Sequence, residues 1–248
     1  MPFTAAHPAI ILPLLRRRWL SATALVMGSI APDFEYFFRL KTKSEVSHTL
    51  PGLLLFDLPV ALLLSIVFHT VVRDLVIEYL PPYFRQRAEA INYPASWIQY
   101  FRKNWLVITA SALIGASSHV FWDSFTHRHT LSAAILPVLN TTVEIPFVEL
   151  KMALHRVVQH ASTVVGLAII LWHVHRLPAK PRVEDDQQSW LGFWLATATL
   201  GFLFLLLNLL MRKHLMKAPG HMIVTLLSGW LIALLLSGLI AKVWQQQK

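Results

Sequence analysis

Ser189-Trp-Leu-Gly-Phe-Trp-Leu-Ala-Thr-Ala-Thr-Leu-Gly-Phe-Leu-Phe-Leu-Leu-Leu-Asn-Leu-Leu-Met211 is the stretch that decides the fold class. It carries no charge and exceeds the roughly 20 residues a helix needs to cross the hydrocarbon core of a bilayer. A helix on the surface of a water-soluble domain keeps one polar face, and this one is apolar all round. Ala218–Ala241 repeats the pattern after a short basic connector, and Pro51–Val72 does so with Asp57 as its single charged residue. Asn104–Trp122 and His160–His175 are shorter and contain Gly115, Ala116 and Gly166, small residues that let helices approach closely, so they are expected inside the bundle. The expected fold class is therefore all-α: a polytopic membrane helix bundle with about five transmembrane spans.

Composition agrees. The chain of 248 residues is 55% hydrophobic and 14% charged, with a mean hydropathy of +0.53. A soluble domain of this size would be about 25% charged. The net charge of +9 comes from Lys and Arg that flank apolar runs, where they face anionic headgroups, so membrane lipids are the expected partner and no nucleic acid is expected. With no cysteine, any transition-metal site must draw on histidine and carboxylate ligands. Met1–Leu12 lacks the charged start of a secretory signal.

Residues 1–175 are expected to form one membrane domain, 176–188 a polar linker with the acidic run Glu184-Asp185-Asp186, and 189–248 a C-terminal two-span hairpin. His7–Leu15 and Leu20–Ala31 are too short to cross, and Arg16, Arg17 and Arg18 between them suggest the tip of a short-helix hairpin. Arg73–Lys103 mixes aromatics, prolines and charges and reads as interfacial. Five crossings place the segments before Pro51 and after Trp122 on one face of the membrane. Lys and Arg divide nearly evenly between the two faces, so charge sets no orientation.

The sharpest chemical motif is His119-Val-Phe-Trp-Asp123-Ser-Phe-Thr-His127. Its ionisable residues fall at i, i+4 and i+8, along one helix face. On an ideal helix the outer two stand about 12 Å apart along the axis, too far for one ion. Either the helix breaks near Thr126, or Asp123 bridges two ions. An ordinary i, i+4 pair between His119 and Asp123 is the bland alternative. His7, before a helix started by Pro8, Asp33 in Gly28-Ser-Ile-Ala-Pro32-Asp33, and His48 in Ser47-His48-Thr49 fall on the same membrane face as the motif. Asp57 is a candidate partner behind them. His129, His214 and His221 are weaker candidates. His69, His173 and His175 belong to the opposite face.

The order His7, Gly28…Pro32-Asp33, Ser47-His48-Thr49, His119-x3-Asp123 resembles bacterial membrane proteins regarded as metal-dependent hydrolases, among them the LexA-binding inner-membrane hydrolase group. Met1-Pro-Phe-Thr-x-x-His7-Pro, Ala31-Pro-Asp33-Phe-Glu-Tyr-Phe and Ser47-His48-Thr-Leu-Pro-Gly-Leu resemble more closely an uncharacterised bacterial domain of unknown function. A more distant similarity is to the zinc-dependent phospholipase C and S1/P1 nuclease fold. That resemblance implies zinc, in two or more ions, with His7, Asp33, His48, His119, Asp123 and His127 as ligands and Asp123 bridging. It also implies a later His-x3-Glu pair, matched in part by His155-x3-Gln159 or by His160; Gln159 brings no charge.

The function expected from these residues is a metal-dependent hydrolase with Asp33 and Asp123 as its catalytic carboxylates. It would act on a phosphoester, lipid or lipid-linked, at the surface of a bacterial inner membrane. The alternatives are a non-catalytic metal- or ion-binding protein or transporter, and a membrane scaffold without metal. The sequence shows no phosphate loop, nucleophile elbow or kinase signature.

Overall fold

The computed structural model of the chain describes residues 3–127, 131–145, 150–181, 190–212 and 218–246. Five of its helices are long and apolar enough to cross a membrane: Leu50–Glu78, Trp105–Asp123, Leu154–His175, Trp190–Met211 and Pro219–Val243, the last continuing to Gln246. The all-α bundle expected from the sequence is the architecture found. Large apolar side chains on these helices point outward, Leu206, Leu210, Ile223 and Ile240 among them. A water-soluble bundle would bury such residues, whereas hydrocarbon solvates them.

Two of the helices extend well beyond their hydropathy boundaries. The first span runs on past Val72 to Glu78, and the third begins at Leu154 instead of His160. Hydropathy marks the part that sits in hydrocarbon, while the hydrogen-bond ladder continues through polar residues beyond it. The first span opens on Thr49, whose hydroxyl accepts from the Gly52 N–H at 2.9 Å, with Pro51 in the first turn. Pro59 can give no N–H to the turn before it, and that turn, Leu53–Asp57, is wound as a π-helix.

The chain forms two compact units. The first gathers 1–33, 46–62 and 104–175; the second gathers 34–45, 63–103 and 176–248. The units interleave along the chain.

In the first unit, Thr4–Leu14 is a 3-10 helix, since Pro8 and Pro13 deny donors to an α ladder. The chain returns as the α-helix Ala22–Ile30, capped by the Ser21 hydroxyl. This short helix lies tightly against Trp105–Asp123: a Cβ on Gly28 would strike the Ala112 carbonyl, and one on Gly115 the Leu25 carbonyl. Ile11, Leu20 and Leu25 form the core beneath. One element was not foreseen. Thr142–Ile145 (β1) and Leu150–Ala153 (β2) pair antiparallel, Thr142 opposite Ala153, between the second and third spans. β1, Thr-Val-Glu-Ile, is largely β-branched, a preference that matters little to hydropathy.

In the second unit the fourth and fifth spans pack together, with Gly201 against the Trp230 ring. Tyr79 stacks on Phe193 at 4.5 Å, and the Trp194 indole donates to the Tyr79 carbonyl at 2.6 Å. Trp97–Lys103, in the segment read as interfacial, is a short helix whose Trp97 stacks on His69.

Candidate metal centre

Four side chains of the first unit converge on one point. Asp33, His48, His119 and Asp123 each offer a ligand atom, all within 4.8 Å of one another. The elements that deliver them are unlike. Asp33 closes a single 3-10 turn, Ala31–Asp33, after the short helix. His48 sits just before the first span with φ of 62°, a left-handed conformation uncommon for a side-chain-bearing residue. His119 and Asp123 come from the last turn of the second span.

His48 Nε2 lies 3.2 Å from His119 Nε2, 3.3 Å from Asp123 Oδ2 and 3.6 Å from Asp33 Oδ1. His119 Nε2 lies 3.4 Å from Asp33 Oδ1 and 3.6 Å from Asp123 Oδ2. A zinc ion bound tetrahedrally at about 2.0–2.1 Å holds its ligand atoms roughly 3.3–3.4 Å apart. Five edges of the figure thus lie within a few tenths of an ångström of the length a tetrahedral ion would impose. Two carboxylates and two neutral imidazoles also carry the charge that a divalent cation cancels.

The unsatisfied atoms point the same way. Asp33 Oδ1, Asp123 Oδ2 and both ring nitrogens of His7 are buried with no hydrogen bond. Buried polar atoms are rarely left so, and acceptors that face one another need a cation between them. His119 shows the arrangement most clearly. Its Nδ1 lies 2.7 Å from the Ser29 carbonyl oxygen, which can only accept, so Nδ1 carries a proton and Nε2 is the nitrogen that faces the carboxylates. Thr4 donates to Asp33 Oδ2 at 2.6 Å, which leaves Oδ1 for the group. Neither Thr4 nor Ser29 stood out in the sequence, because one contributes a common hydroxyl and the other only a carbonyl.

His7 adjoins on the far side of Asp123. Its Nε2 is 3.5 Å from Asp123 Oδ1, and its ring stacks on His119 at 3.6 Å. Burial, with the His119 imidazole beside it, pushes His7 down to about 3, so it is neutral. For Asp33, burial opposes ionisation, but His119 and His48 outweigh it and hold the carboxyl well below the usual range. Burial also works against protonating His48, yet the nearby Asp123 and Asp33 carboxylates prevail and raise it.

The second span ends at Asp123, and Ser124–Thr126 turn away. Of the two ways to reconcile His119 with His127, the helix break is therefore the one observed. The turn brings His127 Nδ1 within 3.7 Å of Asp123 Oδ2, but that nitrogen donates to the Asp123 carbonyl at 2.9 Å. Burial lowers the His127 pKa, against the raising effect of the Asp123 carboxylate and of the capping bond.

The remaining candidates stand apart from the four-donor group. His155 is buried and donates from Nδ1 to the Leu139 carbonyl at 3.1 Å, in the segment beside the β-hairpin. Gln159 is half-buried and His160 exposed, one turn further along the third span. Asp57 is fully buried in the π turn that packs against both Ala31–Asp33 and the second span. His221, in the second unit, accepts the Thr42 N–H on Nδ1. His129 and His214 lie outside the described residues.

The fold and this group define a class: an all-α membrane protein with a buried Asp/His/His/Asp set that can hold a metal ion. The chain belongs to the family described as Domain of unknown function (DUF4184), whose model matches residues 1–239. Neither curated proteins nor solved structures give a match.

Proposed function

We propose that the chain is a membrane-embedded metal-dependent hydrolase that acts on a phosphoester, lipid or lipid-linked, at the bilayer surface. The supporting observation is a surplus of donors. Beyond the four convergent atoms, Asp123 turns its second oxygen to His7, whose buried ring nitrogens make no hydrogen bond. A structural ion is satisfied by four ligands, and ionisable side chains at the ends of membrane helices are costly to gather without a use.

A bound divalent ion, zinc for this nitrogen and oxygen donor set, would activate water and stabilise charge on a phosphoryl oxygen. The polypeptide's contribution is positional. Ser29 fixes the His119 tautomer, Thr4 fixes the Asp33 rotamer, and burial keeps bulk water from the carboxylates. Asp123, with one oxygen in the four-donor group and the other towards His7, is the bridging carboxylate of this reading, which allows two or more ions. His48 is the group's most exposed member, its side chain 17% accessible, and marks the side from which a substrate would enter. The surrounding partners are membrane lipids, and the setting is a bacterial inner membrane.

One observation favours a second reading. Four protein donors can close a tetrahedron with no place left for water, as in structural metal sites. Elemental analysis of the detergent-purified protein, set against Asp123→Asn and His48→Ala, tests both. Bound zinc or manganese that is lost in the variants, together with cleavage of bis-p-nitrophenyl phosphate or phospholipid vesicles, supports the hydrolase. Stable metal without cleavage of either selects the structural or ion-binding role. Absence of metal after mild purification sinks both and leaves a scaffold.

A further inference from the structure

One cavity opens beside the metal centre. It has a volume of about 180 Å³ and runs between the N-terminal 3-10 helix, Trp122 and the third span. Ser162, Val165, Gly166 and Ile169 form its outer wall. Val165 is 55% exposed and Ile169 41% exposed, and both lie in Val164–Trp172, a stretch with no ionisable residue. Its mouth therefore faces hydrocarbon and not water. Gly166 brings the backbone of Ala6 against the helix, where a Cβ would meet Ala6 at 3.0 Å, so the passage is narrow.

Its inner end is chemically different. His7 lines it, 3% exposed, with both ring nitrogens lacking a hydrogen bond. The same imidazole stands 3.5 Å from Asp123. A cavity that is apolar from the bilayer inward and terminates on an imidazole whose nitrogens make no hydrogen bond suits an amphiphile. Hydrocarbon fills the outer part, and an oxygen at the end of the chain meets the imidazole.

We propose that this cavity holds the headgroup-proximal part of one unbranched acyl chain of a membrane phospholipid, with the chain's polar junction at His7 beside the metal centre and the rest of the chain running out into the bilayer. That the chain is bound rests on the cavity alone. That it belongs to the substrate rests on the hydrolase reading above.

Photolabelling tests it on the full-length protein in nanodiscs of phosphatidylglycerol that carries an acyl-chain diazirine. Labelled peptides are mapped by mass spectrometry, and bound metal is measured on the same samples. Label is expected on the peptides around Ala6–Ile10 and Ser162–Ile169. Ser162→Phe, which fills the cavity, should cut it severalfold at unchanged metal content. Ile169→Trp blocks the mouth and serves where Ser162→Phe fails to fold. Label confined to outward faces of the spans, or unchanged in a folded, metal-loaded filling variant, overturns the proposal. Asp123→Asn separates the two readings: label kept while metal is lost supports the cavity independently of the chemistry. If wild type is labelled here but binds no metal, the lipid site stands and its assignment as substrate falls.

Discussion

The His119 Nδ1–H donates to the Ser29 carbonyl at 2.7 Å, across the contact between the short helix Ala22–Ile30 and the second span. That bond fixes which imidazole nitrogen faces the two carboxylates. It exists only because the two helices lie backbone to backbone at Gly28 and Gly115.

Gly115→Ala should therefore weaken metal binding without touching a ligand. The new methyl meets the Leu25 carbonyl and lies 2.7 Å from the Ser29 amide, so the short helix must retreat and take the Ser29 carbonyl with it. Loss of an outer partner to a ligating histidine costs about 10–100-fold in affinity. Competition with a chromophoric chelator measures it, and an unchanged affinity would show the Ser29 bond to be dispensable.

Thr4→Val keeps the shape of the side chain and removes its hydroxyl from Asp33 Oδ2. A hydrogen bond to a charged group contributes about 1.5–3 kcal/mol, so metal affinity is expected to fall by roughly ten- to a hundredfold. Thr4→Ser should restore it. Equal behaviour of the two variants would mean that Asp33 is held by packing alone.

His119→Ala should abolish metal binding, whereas His127→Ala should keep it. His127 gives its nearer nitrogen to the Asp123 main-chain carbonyl, and His119 gives Nε2 to the four-donor group. Elemental analysis of the two purified variants decides this, and equal losses would place His127 among the direct ligands.

In chelator-treated protein, stability should peak near pH 6.5, the unperturbed histidine value. Below it, the unfolded chain protonates His7 while the folded chain, with that group near 3, does not, so stability falls with falling pH. Above it, His48 keeps in the folded state a proton that the unfolded chain has released, and the stability this gives is lost as pH rises through the raised value. Each proton changes stability by up to about 1.4 kcal/mol per pH unit. Metal should reverse the upper limb, because it replaces the proton on His48. Thermal melting across pH 5–9, with and without zinc, would reveal it, and identical profiles would argue against His48 as a ligand.

Much of this molecule is written in its one-dimensional pattern. A run such as Ser189–Met211 is apolar whatever it packs against, so the helices able to cross a membrane are legible residue by residue. Their number also predicts that Asp33, His48, His119 and Asp123 share one face. Tertiary structure decided what hydropathy cannot encode. The left-handed backbone at His48 and the glycine contact that seats Ser29 on His119 bring donors from distant segments to ligand spacing. The same packing leaves His155 bonded to Leu139 and His160 exposed, the two residues that the resemblance offered only as a partial match. Hydropathy is a property of single side chains in a solvent, and a metal centre is a property of distances between them.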